Sequence, residues 1–273
     1  MYKKTLFCLF LIGFLSLTSA QKKEITLEEI WSGTFRTERL DVLRSMKNGK
    51  QYTILNFNRG DGTSSLDKYD YGTQQKVETV VSSSAEIPNF TSYEFSVDES
   101  KIILATDVEP IFRRSQLGVY YVYDVSSKGI TKISDNKIQE PALSPDGSKV
   151  AFVWDNNLYI FEISSKTTKQ ITKDGSYGTI INGVTDWVYE EEFGFVKAFA
   201  WNSDGTKIAF MRFDETQVPH FSMDVYGEDL YPFQYEFKYP KAGEENAKVE
   251  LKMYDIASGT TKEVNLGDAY YIP

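Results

Sequence analysis

The feature that most limits what this chain can fold into is a phrase that recurs along it. A small polar residue and an acidic turn are followed by Lys and a short run of apolar, β-branched residues. Three copies are Ser96-Val97-Asp98-Glu99-Ser100-Lys101-Ile102-Ile103-Leu104, Ser144-Pro145-Asp146-Gly147-Ser148-Lys149-Val150-Ala151-Phe152 and Asn202-Ser203-Asp204-Gly205-Thr206-Lys207-Ile208-Ala209-Phe210. Asp, Ser and Gly provide turn chemistry, and the run that follows has the composition of a buried strand. A second phrase answers the first: alternating aromatics, an acidic residue and a Ser/Gly/Thr turn into another strand, over Leu66 to Thr79, Val119 to Ile133, Leu158 to Ile171 and Leu251 to Val264. Two strands across a short turn make a hairpin. Together the phrases predict units of about four short antiparallel strands recurring every 40 to 60 residues or so, which is the signature of propeller blades. A β-sandwich gives no reason for one phrase to repeat in order. The expectation is therefore an all-β fold, a partial β-propeller of about four blades.

Interruptions in a repeat scaffold are where function is grafted. The rhythm breaks at Asp107 to Gly118, at Gly175 to Ala200, and over an aromatic-rich stretch, read as irregular, from Asp214 to Tyr239. The chain closes on Tyr270-Tyr271-Ile272-Pro273 in what reads as the approach to another blade. A ring left open there would keep blade edges unpaired, so poor solubility is expected of this stretch alone.

Residues 1–20 begin with Lys3 and Lys4, run apolar from Leu6 to Leu17 and end on the small residues Thr18 and Ala20, the pattern of a cleavable secretory signal. The apolar run is short for a membrane span, with an uncleaved anchor as the alternative. Secretion or a periplasmic location follows, with residues 21–273 as the mature region. Cys8, the only cysteine, leaves with the signal, so no disulfide and no thiol nucleophile is expected in the mature chain. The formal charge of −9 becomes two units more negative when Lys3 and Lys4 are removed, which argues against a nucleic-acid partner. One histidine and scattered acids give no metal-ligand spacing, and the turn at Asp61-Gly62-Thr63-Ser64 lacks the rest of a calcium loop. No cofactor and no metal are expected.

The stretch richest in chemistry is Asn182-Gly183-Val184-Thr185-Asp186-Trp187-Val188-Tyr189-Glu190-Glu191-Glu192-Phe193. Adjacent carboxylates repel unless solvated or matched by a cation, and on composition alone the run reads as the solvated acidic first turn of a helix. The segment from Asp186 to Glu192, however, resembles the double-glutamate motif of the dipeptidyl peptidase IV family. There a short helix projects from the propeller into the active-site cavity, and the second and third glutamates of the run bind the substrate's protonated α-amine. The resemblance carries that role to Glu191 and Glu192. It also places Phe112-Arg113-Arg114-Ser115 where the family has an aromatic-Arg-x-Ser segment whose arginine meets a substrate carbonyl. Arg113 is thus the candidate, with a rim salt bridge as the alternative. Val218-Pro219 and Tyr239-Pro240-Lys241-Ala242-Gly243 match further family phrases, and the likeness covers essentially the whole mature chain.

The resemblance implies the N-terminal propeller region of a serine-type dipeptidyl aminopeptidase that releases Xaa-Pro or Xaa-Ala dipeptides. It further implies a peptide with a free N-terminus as partner, a C-terminal α/β-hydrolase domain carrying the triad, and homodimers of the full-length protein. The physical logic agrees: an exopeptidase must measure from a charged terminus, and paired carboxylates accept an ammonium's donors while neutralising it. No G-x-S-x-G turn occurs here, and His220, the sole histidine, reads as structural. The chain alone is therefore expected to hydrolyse nothing, and no catalytic residue is assigned. Two rivals stand beside this reading. One is a non-catalytic periplasmic β-propeller scaffold that binds proteins, since similar blades occur in Tol-system proteins, and the other is an inactive family member.

Overall fold

The computed structural model describes residues 23–37, 40–58 and 60–267. The leader predicted over residues 1–20 and the closing Tyr270 to Pro273 lie outside the described residues. The chain divides into two compact units, Met1–Asp41 and Val42–Pro273. In the first, the short helix α1 (Leu27–Trp31) is started by a capping box in which Thr26 and Glu29 each accept the other's backbone N–H. Nothing in the repeat pattern announced it.

The second unit is built almost wholly of antiparallel sheets. Strands β1 (Leu43–Ser45), β2 (Gln51–Asn58), β3 (Thr63–Asp70) and β4 (Lys76–Ser82) form the first blade in chain order. The second comprises β5 (Ser92–Phe95), β6 (Lys101–Pro110), β7 (Gln116–Asp124) and β8 (Ile130–Lys132). In the third are β9 (Gln139–Leu143), β10 (Lys149–Trp154), β11 (Asn157–Glu162) and β12 (Thr167–Gln170). The fourth joins β13 (Ile180–Asn182), β14 (Phe199–Trp201), β15 (Lys207–Asp214), β18 (Lys248–Asp255) and β19 (Thr260–Glu263), with a separate ribbon of β16 (His220–Val225) and β17 (Phe233–Lys238) inserted after β15. The expected blades are all present. The stretch from Asp214 to Tyr239 is not irregular, however: β16 and β17 pair in register from His220↔Lys238 to Val225↔Phe233.

The repeated phrase works as a local circuit. In the second blade Glu99 N–H donates to the Ser96 carbonyl at 2.9 Å, Ser96 Oγ donates to Asp98 at 2.6 Å, and Lys101 N–H donates back to Ser96 Oγ at 2.9 Å. Ser144 and Asp146 repeat that arrangement in the third blade, and Asn202 and Asp204 repeat it with an amide in the fourth. These hydrogen bonds hold the carboxyls of Asp98 and Asp146 down at about 2.

The strands leaving such turns in the second and third blades are apolar on both sides because both faces of those blades are covered. Ile102 and Leu104 enter a core shared with Leu66 and Val81 of the first blade, while Ile103 and Ala105 enter one shared with Val150 and Phe152 of the third. Ala151 and Val153 turn the other way, toward Ile181, Phe199 and Phe210 of the fourth. The two-residue period of a strand sends neighbours into different cores.

Candidate functional site

The fourth blade departs from the others in its first strand, which is broken in two. Strand β13 pairs with the end of β15, from Ile180↔Asp214 to Asn182↔Arg212, and β14 pairs with its start, from Phe199↔Phe210 to Trp201↔Ile208. At the break, Gly183 N–H donates to the Met211 carbonyl at 3.0 Å and Met211 N–H donates to the Ala198 carbonyl at 2.8 Å, so the chain departs and returns beside one residue. Thr185 N–H bonds the Val196 carbonyl at 3.0 Å, making a short stalk.

On that stalk stands helix α2 (Trp187–Phe193). Asp186 caps it by accepting from Tyr189 N–H at 2.9 Å, and Gly194 ends it at φ 77°, where a glycine is favoured. Burial pushes the Asp186 carboxyl up to about 6. Tyr189 is buried beneath the helix against Phe193, Phe195 and Phe213, with ring centroids 5.0, 6.0 and 5.0 Å away. Trp187 meets Tyr239 edge-on at 4.7 Å. About two turns of helix cannot hold themselves in water, so these rings and the two caps fix them.

Successive helix positions are about 100° apart, so the three glutamates meet three surroundings. Glu190 is 1% exposed and its Oε1 accepts from the backbone N–H groups of Arg114 at 2.6 Å and Ser115 at 2.8 Å. Glu191 faces Arg113, whose Nε lies 2.9 Å from Oε2. Glu192 is exposed and, among the described residues, has no ion-pair partner. The arginine comes from the second blade. A bulge between Thr106 and Glu109 interrupts the β6–β7 pairing, with Asp107 at φ 46°, and the ribbon beyond it closes in a turn where Ile111 N–H donates to the Ser115 carbonyl at 2.9 Å. Bulges commonly re-aim a ribbon beside a site.

The structure thus brings Arg113 and Glu191 together, with Glu192 next along the helix. The guanidinium on Glu191 is that of Arg113, not of Arg114, whose backbone is instead held by Glu190. His220 opens β16 opposite Lys238 and is exposed. Sequence reasoning missed the part played by Glu190, because a buried acid receiving two backbone donors from a loop far away in sequence leaves no local trace. Asp186 could have been recognised, since an Asp ahead of an aromatic-rich helical turn is a capping signal.

Comparison with known proteins decides the lineage. A sequence profile described as "Dipeptidyl peptidase IV (DPP IV) N-terminal region" matches residues 96–272. This chain belongs to the dipeptidyl peptidase IV family. Among its relatives, "Probable dipeptidyl-aminopeptidase B" of Chaetomium globosum is 33% identical over 243 residues, which is 81% of this chain and 26% of the relative. "Dipeptidyl aminopeptidase B" of Saccharomyces cerevisiae is 39% identical over 171 residues, covering 61% and 21%. The crystal structure of Porphyromonas gingivalis dipeptidyl peptidase 4 aligns with a TM-score of 0.83 at 39% identity, over 91% of this chain and 36% of that one. As a dipeptidyl peptidase IV N-terminal region, the chain spans only about a fifth to just over a third of these family members. Among its described residues no helix is long and apolar enough to cross a membrane.

Proposed function

We propose that this chain is the substrate-receiving propeller region of a secreted or periplasmic, serine-type dipeptidyl aminopeptidase that releases Xaa-Pro or Xaa-Ala dipeptides. Glu191 and Glu192 bind the ammonium of the peptide's free N-terminus, and Arg113 takes a backbone carbonyl close by. Bond cleavage falls to an α/β-hydrolase domain of the longer protein, and this region governs which peptide ends reach it.

The observation carrying this reading is the ion pair between Arg113 and Glu191, on a helix that also presents Glu192. Arg113 neutralises Glu191 and orients its carboxylate. The arginine side chain is 74% exposed, so releasing it costs little and an arriving ammonium can replace it. An ammonium shared by two carboxylates gains charge-assisted hydrogen bonds in a partly dry site, whereas an acetylated terminus brings neither charge nor three donors.

The test uses the complete gene product and a Gly-Pro-linked chromogenic substrate with a free or an N-acetylated amine. Wild type is expected to cleave only the free-amine form, and Glu191→Ala/Glu192→Ala to lose about 100-fold or more in kcat/KM, two charged hydrogen bonds being worth roughly 3 kcal/mol or more. Equal cleavage of both substrates by the double variant and wild type would remove the ammonium assignment. Absence of hydrolysis by wild type would favour a protein-binding scaffold.

A further inference from the structure

A cavity of about 430 Å³ opens beside α2, between the 111–115 loop, the turn joining β10 to β11, and β17. Neither Glu191, Glu192 nor Arg113 lines it. Its walls carry the rings of Phe112, Trp154, Tyr177, Trp187, Tyr235 and Phe237, and four acids border it, Asp155, Asp186, Glu190 and Glu215.

Glu215 is the unusual member. The residue is 5% exposed, and its backbone is satisfied by Thr179 and Val218 at 2.7 and 2.9 Å. Its carboxyl group, among the described residues, accepts no hydrogen bond and joins no ion pair. An acid left unpartnered at that depth is costly, and a native fold rarely carries one without a reason. The nearby cations direct their hydrogen bonds elsewhere than to Glu215. Lys238 donates to the Val218 carbonyl at 2.7 Å, and Lys137 bridges Asp107 and Glu109 at 3.1 and 3.2 Å. Asp186 is occupied as the cap of α2, and Glu190 by its two backbone donors. An anion would lie against the same buried acid, while a neutral apolar guest would leave Glu215 as it is.

We infer that this cavity binds a small organic cation, an ammonium or guanidinium carried on an apolar body about the size of a benzyl group, with its charge on Glu215 and its body among the rings. Ring faces attract cations electrostatically, and pockets of a few hundred cubic ångströms with apolar walls and few polar groups suit small ligands. Burial and the neighbouring Asp186 push the Glu215 carboxyl up to about 8, while Lys238 pulls the other way. Tyr177, Tyr235, Lys137 and Asp155 are the other titratable groups around the cavity. At neutral pH Glu215 is therefore largely protonated, and an incoming cation displaces that proton to the buffer.

Calorimetric titration of the full chain at pH 7.5 tests this, with benzylammonium as probe and benzyl alcohol as its neutral counterpart. Benzylammonium is expected to saturate in the millimolar range or below, at least ten-fold tighter than the alcohol. Its heat is expected to differ between phosphate and Tris because a proton is released. Glu215→Gln should weaken benzylammonium about ten-fold or more and leave the alcohol within about two-fold. Should that variant not fold, Trp154→Ala, at the exposed edge of the cavity, is expected to weaken benzylammonium about three-fold. Equal affinity for the two probes, a heat independent of buffer, or no saturation would each overturn the inference. Because Glu191 and Glu192 are themselves proposed to take an ammonium, the weakening by Glu215→Gln, which leaves those two in place, is what assigns the binding to this cavity, and the hydrolysis test of Glu191 and Glu192 stands apart from it.

Discussion

Glu190 joins two blades through one oxygen. Its acceptance of the Arg114 and Ser115 N–H groups settles where the arginine loop stands, and so where Arg113 meets Glu191. Glu190→Ala would bury two donors without partners and is expected to cost about 2 kcal/mol or more of stability in urea unfolding. Glu190→Gln keeps an acceptor of the same shape and is expected to lose about half as much. In both variants the effect reaches function through position, because Glu190 itself faces the loop. The same scale shows what was legible. The turns around Asp98, Asp146 and Asp204 could be read because their hydrogen bonds close within six residues or so of sequence. A fourth such turn, Met46 to Gln51, went unread because Met46 and Asn48 stand where the others have Ser or Asn and Asp, although Gly49 N–H still donates to the Met46 carbonyl at 3.0 Å.

At the level of elements, α2 is too short to persist by its own hydrogen bonds, so its attachment points carry its stability. Gly183, where the chain leaves the sheet, has φ 80°, and a Cβ there would come within 3.0 Å of Val153 Cγ2 in the core of the third and fourth blades. Gly183→Ala is expected to destabilise by about 2 kcal/mol, backbone strain and overpacking adding together. Gly194→Ala, at φ 77° with nothing nearer than 3.9 Å, meets the strain alone and is expected to cost about 1 kcal/mol, both read from thermal or urea unfolding. The helix itself and its acidic run could be read from sequence, but the ribbon of β16 and β17 could not. Its strands alternate little between buried and exposed residues, and most positions are at least partly exposed, so the usual two-residue pattern is missing.

For the molecule as a whole, stability should depend on pH through the buried acids that folding raises most, Asp186 and Glu215. Asp186 and Glu215 both have carboxyls raised in the folded state, to about 6 and about 8, chiefly by burial. A raised acid binds its proton more tightly when folded, so its contribution is complete at low pH and is lost as pH climbs through the folded value. Asp98 and Asp146, held at about 2, titrate well below this window. The urea midpoint is accordingly expected to be lower at pH 8.5 than at pH 6, and Glu215→Gln to flatten most of that slope. A midpoint that rises with pH would show that Glu215 is charged when folded.

The broken first strand of the fourth blade has a wider consequence. Because residues 184–197 depart and rejoin beside Met211, the sheet around them keeps its register whatever lies between. A stretch of another length or chemistry can be spliced in without re-threading the blade. The inserted segment is in this sense a cassette, and under the function proposed above a lineage can change what is read at a substrate's end while leaving the propeller that holds it unaltered.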